Sequence, residues 1–258
     1  MSRSPLLVIV TGAIILTTIA GCGQIRETLP SMERVVRDAK ESASEPATWL
    51  PLATAAAIAL TDTDNSISDW ASDNTPIFGS QNKAGDRSDD LRNALVAGMA
   101  LTSIFAPTAA ADNAFPTRRV VANALAFSTI AGIVETGKRT VKRQRPNNRD
   151  TKSFPSGHSS GAFSSAILIE RNLNATIEQP WLRKTIKIGA YSSAATVAWA
   201  RVEAKEHHLV DVLFSAGLSN FLVKTFYSSI VSEEQAASLP IAIETNKQGF
   251  LVKINQSF

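Results

Sequence analysis

The residues of this chain that could do chemistry are concentrated in three short motifs. Two of them, at 155–158 (PSGH) and 201–211 (RVEAKEHHLVD), contain all three histidines of the 258-residue sequence. The third, at 138–146 (KRTVKRQRP), lies just upstream and is rich in cations. A nucleophilic imidazole, a proton donor and several cations are what the transfer of a phosphoryl group through a covalent intermediate requires. The motifs therefore predict a single phosphate-handling site.

The PSGH motif is typical of a turn that leads into a helix. Pro155 ends any upstream helix, and the apolar run Gly161–Ile169 predicts that the next helix begins near Ser159. Backbone N–H groups at the start of a helix bind anions, because they have no partner within the helix and the helix dipole lies behind them. His158 lies at the mouth of this predicted anion site.

The 201–211 motif supplies the predicted nucleophile. His207 and Asp211 are four residues apart, a spacing that places them on one face of a helix. A carboxylate in that position can hold one imidazole N–H and leave the other nitrogen free to attack phosphorus. His208 is off this spacing by one residue, or about 100° of helix rotation, and is predicted to point elsewhere. The cations predicted to neutralise the phosphate oxygens are Lys138, Arg145 and Arg201.

Taken together and in this order, the three motifs resemble those of the type 2 phosphatidic acid phosphatase (PAP2) superfamily. That superfamily also includes bacterial non-specific acid phosphatases and vanadium haloperoxidases. Its pattern is Lys-x6-Arg-Pro, then Pro-Ser-Gly-His, then Ser-Arg-x5-His-x3-Asp. This chain departs from the pattern at Ala200, where the family has serine, and its first two motifs are joined by only eight residues, 147–154. Neither departure removes a catalytic group.

The resemblance implies a role for each matching residue. It implies that His207 is the nucleophile that becomes phosphohistidine, that Asp211 orients it, and that His158 is the general acid that protonates the leaving oxygen. The phosphate ligands that it implies are Lys138, Arg145, Ser156, Gly157 and Arg201. It also implies an all-α bundle of the PAP2 and haloperoxidase type.

The predicted activity is hydrolysis of a phosphate mono- or diphosphate ester, of an envelope lipid or a periplasmic compound. Two alternatives remain open: a vanadium-dependent haloperoxidase, with vanadate bonded to His207, and a non-catalytic envelope lipoprotein. No cofactor is predicted. The sequence shows no His, Cys and carboxylate cluster with metal-ligand spacing, so no metal is predicted either.

Composition favours a globular protein that binds an anion. Hydrophobic residues make up 44% and charged residues 19% of the chain, and the net charge is only +3. Lys138–Lys152 contains seven basic side chains and one acidic side chain. No aromatic residue interleaves with them for base stacking, so nucleic acid is not predicted as a partner. A cationic funnel for a phosphorylated substrate is the preferred interpretation. The oligomeric state is not predicted.

The N-terminal segment has the features of an export signal. Arg3 precedes the uncharged apolar run Leu6–Ala20, which ends in IAGC at 19–22. This ending resembles the lipobox of bacterial lipoproteins, in which the cysteine is lipidated. Cys22 is the sole cysteine of the chain. In the lipoprotein pattern, aspartate after the cysteine favours the inner membrane, so the resemblance implies that Gly23 favours the outer membrane, facing the periplasm, in a Gram-negative cell. The predicted divisions are a signal peptide (1–21), a lipidated tether (22–46), the phosphatase domain (47–231) and a C-terminal extension (232–258).

The fold class predicted from the pattern is all-α, with about six core helices. Residues 61–92, rich in Asp, Asn, Ser and Gly, are predicted to form a long loop. No uncharged run is a convincing span for a bilayer core about 30 Å thick, so the helices are predicted to form a soluble bundle. Alternation in 241–245 and 250–254 predicts a β-hairpin. The predicted helices are Ala47–Thr61, Asp90–Ala106, Thr117–Lys138, Ser159–Asn172, Leu182–Ala200 and Leu209–Val231.

Overall fold

The computed structural model describes residues 30–61, 63–105, 115–174, 177–230, 241–246 and 249–254. The predicted signal peptide and Cys22 lie outside the described residues. Within them the chain forms eight helices followed by two short strands. The helices are α1 (Met32–Ser44), α2 (Pro46–Leu60), α3 (Thr63–Asn74), α4 (Gln81–Phe105), α5 (Phe115–Val141), α6 (Gly157–Asn174), α7 (Pro180–Glu203) and α8 (Leu209–Ile230). The strands β1 (Ile241–Asn246) and β2 (Gly249–Ile254) pair antiparallel, with Ile241 opposite Ile254.

Helix α6 lies at the centre of the bundle and packs against α4, α5, α7 and α8. Its inward positions are small or aliphatic, and Ala162, Ala166 and Leu168 are fully buried. Small side chains allow neighbouring helices to approach closely, and close packing stabilises the core. The helix that follows the PSGH motif is therefore held from four sides, which fixes the position of its N-terminus.

A seam of serines joins α6 to α8. The hydroxyls of Ser160 and Ser219 lie 3.1 Å apart, and Ser219 Oγ lies 3.2 Å from the carbonyl oxygen of Ser160, to which it donates. At the end of the seam, the backbone N–H of Ser156 donates to Ser215 Oγ across 2.8 Å. Hydrogen-bonded partners remove the cost of burying these polar groups. The seam holds the N-termini of α6 and α8 side by side.

Helix α2 packs directly on α8 at a glycine. A Cβ atom at Gly217 would lie 2.6 Å from the carbonyl oxygen of Thr48 and 2.7 Å from Cγ of Leu52. Any larger residue would push the two helices apart, because such distances are shorter than van der Waals contact allows. Glycine at 217 therefore sets the separation of α2 and α8.

The structure corrects the prediction of a long loop at 61–92. Residues 63–74 form α3, and α4 begins at Gln81 rather than near Asp90. The buried face of α3 is largely polar, with Asp64, Ser68 and Ser72 all nearly inaccessible to solvent. Periodicity of apolar residues is the main sequence signal for a helix. Helix α3 carries little of that signal because most of its buried residues are polar, although Ala71 joins a small apolar cluster with Val202 and Val212. Hydrogen bonds to the first turn of α8 also hold the helix in place.

Part of the predicted tether, residues 32–44, is a helix, which was not predicted from its sequence pattern. Residues 32–44 form α1, whose first turn is capped by the Ser31 hydroxyl accepting from the N–H of Arg34 at 3.2 Å. Asp38, on its inner face, accepts a hydrogen bond from Ser229 of α8 at 3.0 Å. Because the buried face of α1 includes polar residues, its buried positions lack the periodic apolar pattern that would indicate a helix. The all-α class is confirmed, and the described residues form eight helices, whereas about six core helices were predicted.

The prediction that no helix is long enough to span a bilayer is wrong as well. Arg119–Val141 in α5 and Leu209–Ser229 in α8 run for 23 and 21 residues, each with a mean hydropathy of 1.4. The uncharged run in α5 is shorter than the helix, because charged residues lie near both ends. Half of the α8 window is buried inside the bundle, against 28% of the α5 window. Helix α8 is thus a core helix, whereas α5 presents much of its apolar surface outward.

Candidate active site

The three motifs meet at one end of the bundle. Lys138 lies near the end of α5, Gly157 begins α6, Arg201 lies in the last turn of α7, and Asp211 lies in the first turn of α8. The links between these helices carry the other motif residues. The structure therefore brings the residues predicted from separate parts of the sequence close to one another.

His207 is buried and held by a backbone carbonyl. Its ring is 2% exposed, and Nδ1 lies 2.6 Å from the carbonyl oxygen of Ser153. Because a carbonyl oxygen can only accept, Nδ1 carries the hydrogen and the lone pair lies on Nε2. Burial lowers the pKa of His207 to about 4, and the charges of Lys138 and Arg201 add to that effect against Asp211. The ring is neutral at pH 7, as a nucleophile must be.

Asp211 makes its hydrogen bonds to the residues around His207 and makes none to the His207 ring. Its Oδ2 lies 3.7 Å from Nδ1 of His207, beyond hydrogen-bond distance. The same oxygen accepts from the Ser153 hydroxyl at 2.5 Å and from the N–H of His208 at 2.9 Å. Since α8 begins at Leu209, the contact with His208 is one half of a capping box. The expectation that a helix places His207 and Asp211 on one face is wrong, because His207 precedes the helix.

His208 does not point away from the site as predicted. Its ring is largely buried, and Nδ1 lies 3.4 Å from both Asp211 Oδ2 and Ser153 Oγ. The prediction assumed helical rotation between positions 207 and 208. Both residues instead lie in the link before α8, where backbone angles differ from those of a helix.

Arg143 ties Asp211 to helix α3. Its Nη1 donates to Asp211 Oδ1 at 2.7 Å and its Nη2 donates to Asp64 Oδ2 at 2.6 Å. Asp64 also accepts from the N–H of Val210 at 3.0 Å, and Ser68 accepts from the N–H of Leu209 at 3.1 Å. These two N–H groups have no partner within α8 because they belong to its first turn. Helix α3 therefore caps α8, and one arginine joins both helices.

His158 bonds to a carboxylate from another helix. Its Nε2 lies 2.5 Å from Asp89 Oδ1 of α4, and its side chain is 24% exposed. Burial lowers the pKa of His158 to about 4, with positive charge on Arg201 and Arg92 adding to the effect and Asp89 opposing it. The ring is thus neutral before substrate binds.

Ser156 acts as the N-cap of α6. It is fully buried, its N–H is taken by Ser215, and its hydroxyl accepts from the N–H of Ser159 at 3.4 Å. The hydroxyl can still donate its own hydrogen while it accepts, so the role of Ser156 as a phosphate ligand stays a prediction. The N–H groups of Gly157 and His158, in the first turn of α6, are the donors that the helix leaves for an anion.

A second glycine brings α5 against this turn. A Cβ atom at Gly137 would lie 2.9 Å from Cδ of Pro155. The neighbouring Lys138 side chain reaches Gly157, where an added Cβ would lie 3.7 Å from Cε of the lysine. The close approach at Gly137 therefore places an ammonium group beside the N-terminus of α6.

Oxygen atoms of neighbouring residues accept hydrogen bonds from the three predicted phosphate-binding cations. Lys138 Nζ donates to the carbonyl oxygen of Lys152 at 2.8 Å. Arg145 Nε donates to Asp150 at 2.7 Å, and Arg201 Nη1 donates to Ser88 Oγ at 3.0 Å. Acidic side chains thus neutralise much of the basic window, which is less of an open funnel than its sequence predicts. Those that pair with its arginines are Asp64, Glu135, Asp150, Glu206 and Asp211.

A cavity of about 370 Å³ opens beside the cations, between α4, α5 and α6. Arg92, Lys138 and Gly157 line it, together with the polar residues Asn93, Glu135, Ser160 and Ser164. The rest of its wall is mostly apolar and includes Val96, Phe127, Ile130, Ala131 and Val134. An amphiphile with one anionic end fits such a cavity. Within the described residues, no group of three or more His, Cys, Asp or Glu side chains could hold a metal ion.

Comparison with known proteins shows what part of this chain is similar to. Residues 119–233 match the PAP2 superfamily model, which is slightly less than half of the chain. The structure is similar to that of a transmembrane PAP2-type phosphatidylglycerolphosphate phosphatase from Bacillus subtilis. The TM-score is 0.54 at 23% identity, over 79% of this chain and 98% of the other. That likeness establishes a shared fold.

A curated relative gives a second comparison. The lipid A 1-phosphatase of Porphyromonas gingivalis is 30% identical to this chain over 101 residues. The match spans 39% of this chain but only 21% of the length of that relative.

Several residues of the site were not found from the sequence. Ser153 and Asp89 contact the two histidines, and Glu206 contacts two of the predicted phosphate-binding arginines. Arg143 was counted only as part of the basic window. One signal could have indicated its partner. The acid-rich 62–73 segment is complementary in charge to the basic 138–152 segment.

Proposed function

We propose that this chain is a PAP2-type phosphatase that hydrolyses a phosphate mono- or diphosphate ester of an envelope lipid through a phosphohistidine intermediate. The observation that carries the proposal is His207, a buried neutral imidazole with its hydrogen held at Nδ1 by the carbonyl of Ser153. An imidazole fixed in this tautomer presents Nε2 as a nucleophile.

In the first step, the phosphoryl group lies among cations and backbone donors. Lys138, Arg145 and Arg201 neutralise its oxygens, together with the N–H groups at the start of α6. Nε2 of His207 forms a bond to phosphorus as the bond from phosphorus to the ester oxygen breaks. His158 gives its proton to that oxygen, so that an alcohol leaves rather than an alkoxide.

In the second step, water replaces the histidine. His158, now neutral, takes a proton from a water molecule, and the water oxygen bonds to phosphorus. The bond from phosphorus to Nε2 breaks, which releases inorganic phosphate and restores both imidazoles. Hydrolysis of the ester is then complete with no further reactant.

The low pKa of His158 in the free protein is compatible with this cycle. The Arg201 and Arg92 charges that depress its pKa are the charges that a bound phosphate would offset. A phosphate dianion beside the ring favours the protonated form and raises the pKa. Substrate binding therefore favours protonated His158, which is the form that can act as the general acid.

A phosphorylated lipid is the substrate class that the surroundings favour. The apolar cavity next to Lys138 and Gly157 can take part of an acyl or isoprenyl chain while the phosphate remains among the cations. The relatives named above are, by their names, phosphatases of lipid A and of phosphatidylglycerolphosphate. Both names support a lipid.

We also infer that the enzyme is anchored at an envelope membrane. Cys22 is the proposed lipidation site, and an outer-membrane location facing the periplasm is retained as part of the proposal. Helix α5 adds an outward apolar surface. An enzyme held at the bilayer meets its lipid substrate at high local concentration.

The test is release of inorganic phosphate by the detergent-solubilised full chain. The substrates are phosphatidate, phosphatidylglycerol phosphate, isoprenyl pyrophosphate, lipid A and p-nitrophenyl phosphate, with His207→Ala as the control. We expect faster release from at least one of the lipids than from p-nitrophenyl phosphate. Release from none of the five would contradict the proposal, and halide oxidation by the vanadate-treated protein would favour a haloperoxidase instead.

A further inference from the structure

Glu206, the residue before His207, places its carboxylate on both arginines proposed to bind phosphate. Its Oε2 lies 2.5 Å from Nη1 of Arg145 and 3.3 Å from Nη2 of Arg201. The other oxygen, Oε1, lies 3.1 Å from Nη1 of Arg149. The side chain is only 14% exposed. One internal carboxylate therefore engages three guanidinium groups.

This position conflicts with that of a bound phosphate. Guanidinium N–H groups of Arg145 and Arg201 that would donate to phosphate oxygens already face a carboxylate. A phosphate dianion and an ionised Glu206 in the same space repel each other, and the low-dielectric surroundings strengthen that repulsion. Either the phosphate binds weakly or the carboxylate moves.

The two arginines keep other supports if Glu206 moves. Arg145 also donates to Asp150 and to the backbone carbonyl of Glu206, and Arg201 donates to Ser88. The Nε atom of Arg201 is buried and has no hydrogen-bond partner among the described residues. A buried donor without an acceptor is costly, and an anion would satisfy it. The arginines are thus placed for a ligand that is not Glu206.

Arg149 can remain paired with the Glu206 carboxylate after that carboxylate leaves the other two arginines. Its side chain is 71% exposed, at the outer edge of the cluster, and it already holds one oxygen of Glu206. Rotation of the Glu206 side chain outward would break its contacts with Arg145 and Arg201 and keep the ion pair with Arg149. The carboxylate would then stay paired in both positions.

We propose that Glu206 sets the affinity of this site for phosphate. In the structure its carboxylate lies between Arg145 and Arg201, where the phosphate is proposed to bind, and a phosphoryl group displaces it toward Arg149. The inference rests on the proposed function, since it takes these two arginines as phosphate ligands. Its consequence is weak binding of the product, inorganic phosphate, which leaves once water has released it from His207.

The experiment measures the dissociation constants of inorganic phosphate and vanadate by calorimetry for the full chain and its variants. Glu206→Gln removes the competing charge but keeps the side-chain shape, so both anions should bind about tenfold more tightly. Arg149→Ala removes the outward position, so both should bind several-fold more weakly. In the double variant Arg149→Ala should have little further effect, because the two residues act through one contact.

Arg139→Ala is the matched control. Arg139 lies in the same basic window but pairs with Glu135 on the surface, where both side chains are 49% exposed. Its removal should leave both dissociation constants unchanged. If Glu206→Gln does not fold, Glu206→Asp replaces it, because the shorter carboxylate reaches less far toward the arginines and should also tighten binding.

The opposite sign would overturn the inference. Weaker phosphate binding in Glu206→Gln would mean that Glu206 positions the arginines rather than competing for them. Unchanged binding in all variants would mean that it does neither. A wild-type protein that neither binds phosphate nor releases it from any ester would instead contradict the proposed function itself.

Discussion

His207 donates its Nδ1 hydrogen to the carbonyl oxygen of Ser153 across 2.6 Å. A backbone carbonyl, which no substitution removes, therefore fixes the tautomer of the proposed nucleophile. Asp211 positions the His207 ring only indirectly, because it accepts hydrogen bonds from the Ser153 hydroxyl and from the N–H of His208. The two histidines at 207 and 208 are both near Asp211, so contact with that carboxylate does not distinguish them.

The nucleophile is tested by removing each histidine in turn. His207→Ala should lower turnover by about a thousandfold or more, since no other group can form the covalent intermediate. His208→Ala should keep turnover within about tenfold of wild type, because its role is in the packing before α8. Rapid quenching of the wild type should trap an acid-labile phosphoprotein that the His207 variant lacks. Equal losses in both variants would contradict the assignment.

Asp89 is predicted to tune the general acid. Because His207 must be neutral, kcat/KM should fall as the pH decreases through about 4, its pKa in the free protein. His158 must be protonated in the complex, so the alkaline limb of kcat reports its raised pKa. Asp89→Asn removes the carboxylate that favours the protonated ring. The alkaline limb should therefore move to lower pH.

The same variant should affect substrates unequally. Lipid phosphates have poor leaving groups and should lose about ten- to a hundredfold in rate at pH 8, whereas p-nitrophenyl phosphate should lose much less. Asp90→Asn is the control, because Asp90 is exposed and pairs with Arg87 at 3.6 Å. An alkaline limb that does not move in Asp89→Asn would refute the role of this carboxylate.

Arg143 is predicted to stabilise the fold as well as the site. Arg143→Ala leaves Asp211 buried without its charged partner and also releases Asp64, which should cost about 2–4 kcal/mol of unfolding free energy. Arg143→Lys should not restore it, since one ammonium cannot match the fork that reaches two carboxylates. Arg139→Ala, at an exposed pair, should cost less than about 0.5 kcal/mol. Urea unfolding measures all three, and similar costs for Arg143→Ala and Arg139→Ala would contradict the prediction.

Two glycines of α5 should respond in opposite ways to alanine. Nothing lies within 4 Å of a Cβ built at Gly132, so Gly132→Ala should stabilise the helix by up to about 1 kcal/mol. Gly137→Ala places a methyl group 2.9 Å from Pro155 and should displace the turn that begins α6. We expect Gly137→Ala to lower kcat/KM several-fold with little gain in melting temperature. If both variants gained stability and kept the kcat/KM of the wild type, the turn before α6 would be able to accommodate the added methyl group, which would contradict the prediction.

The membrane anchor is tested at Cys22. Cys22→Ser should abolish lipidation, because only a thiol accepts the lipid. If the lipid is the sole anchor, the variant should leave the membrane fraction in washes without detergent. Retention that requires detergent for release would show that α5, α8 or both enter the bilayer, as their length and hydropathy allow.

The sequence predicted the helices that bury apolar faces and missed those that bury polar ones. Asp38 on α1 and Asp64 and Ser68 on α3 are polar residues in positions where a periodicity test expects aliphatic ones. Their partners lie more than a hundred residues away along the chain. Such pairings leave no local pattern, so the all-α class was predictable but the number of helices was not.

In the site, too, the motif residues could be predicted from the sequence, whereas the residues that contact them could not. His158 and His207 could be selected from the spacing of their motifs. Asp89, which lies 69 residues before His158, could not. The acceptor for His207 is a carbonyl, and a backbone atom is not specified by residue type. Glu206 is visible within its motif, but only the three-dimensional structure shows that its carboxylate reaches Arg145 and Arg201.

Helix α3 caps α8, and this sets a lower limit on the fragment that can fold. The segment matched by the family model, 119–233, contains all three sequence motifs but begins after α3 and α4. Expressed alone, it would lack Asp64 and Ser68, the acceptors for the first N–H groups of α8. It would also lack Asp89, the partner of His158. Any truncation that aims for an active fragment must therefore begin before residue 63.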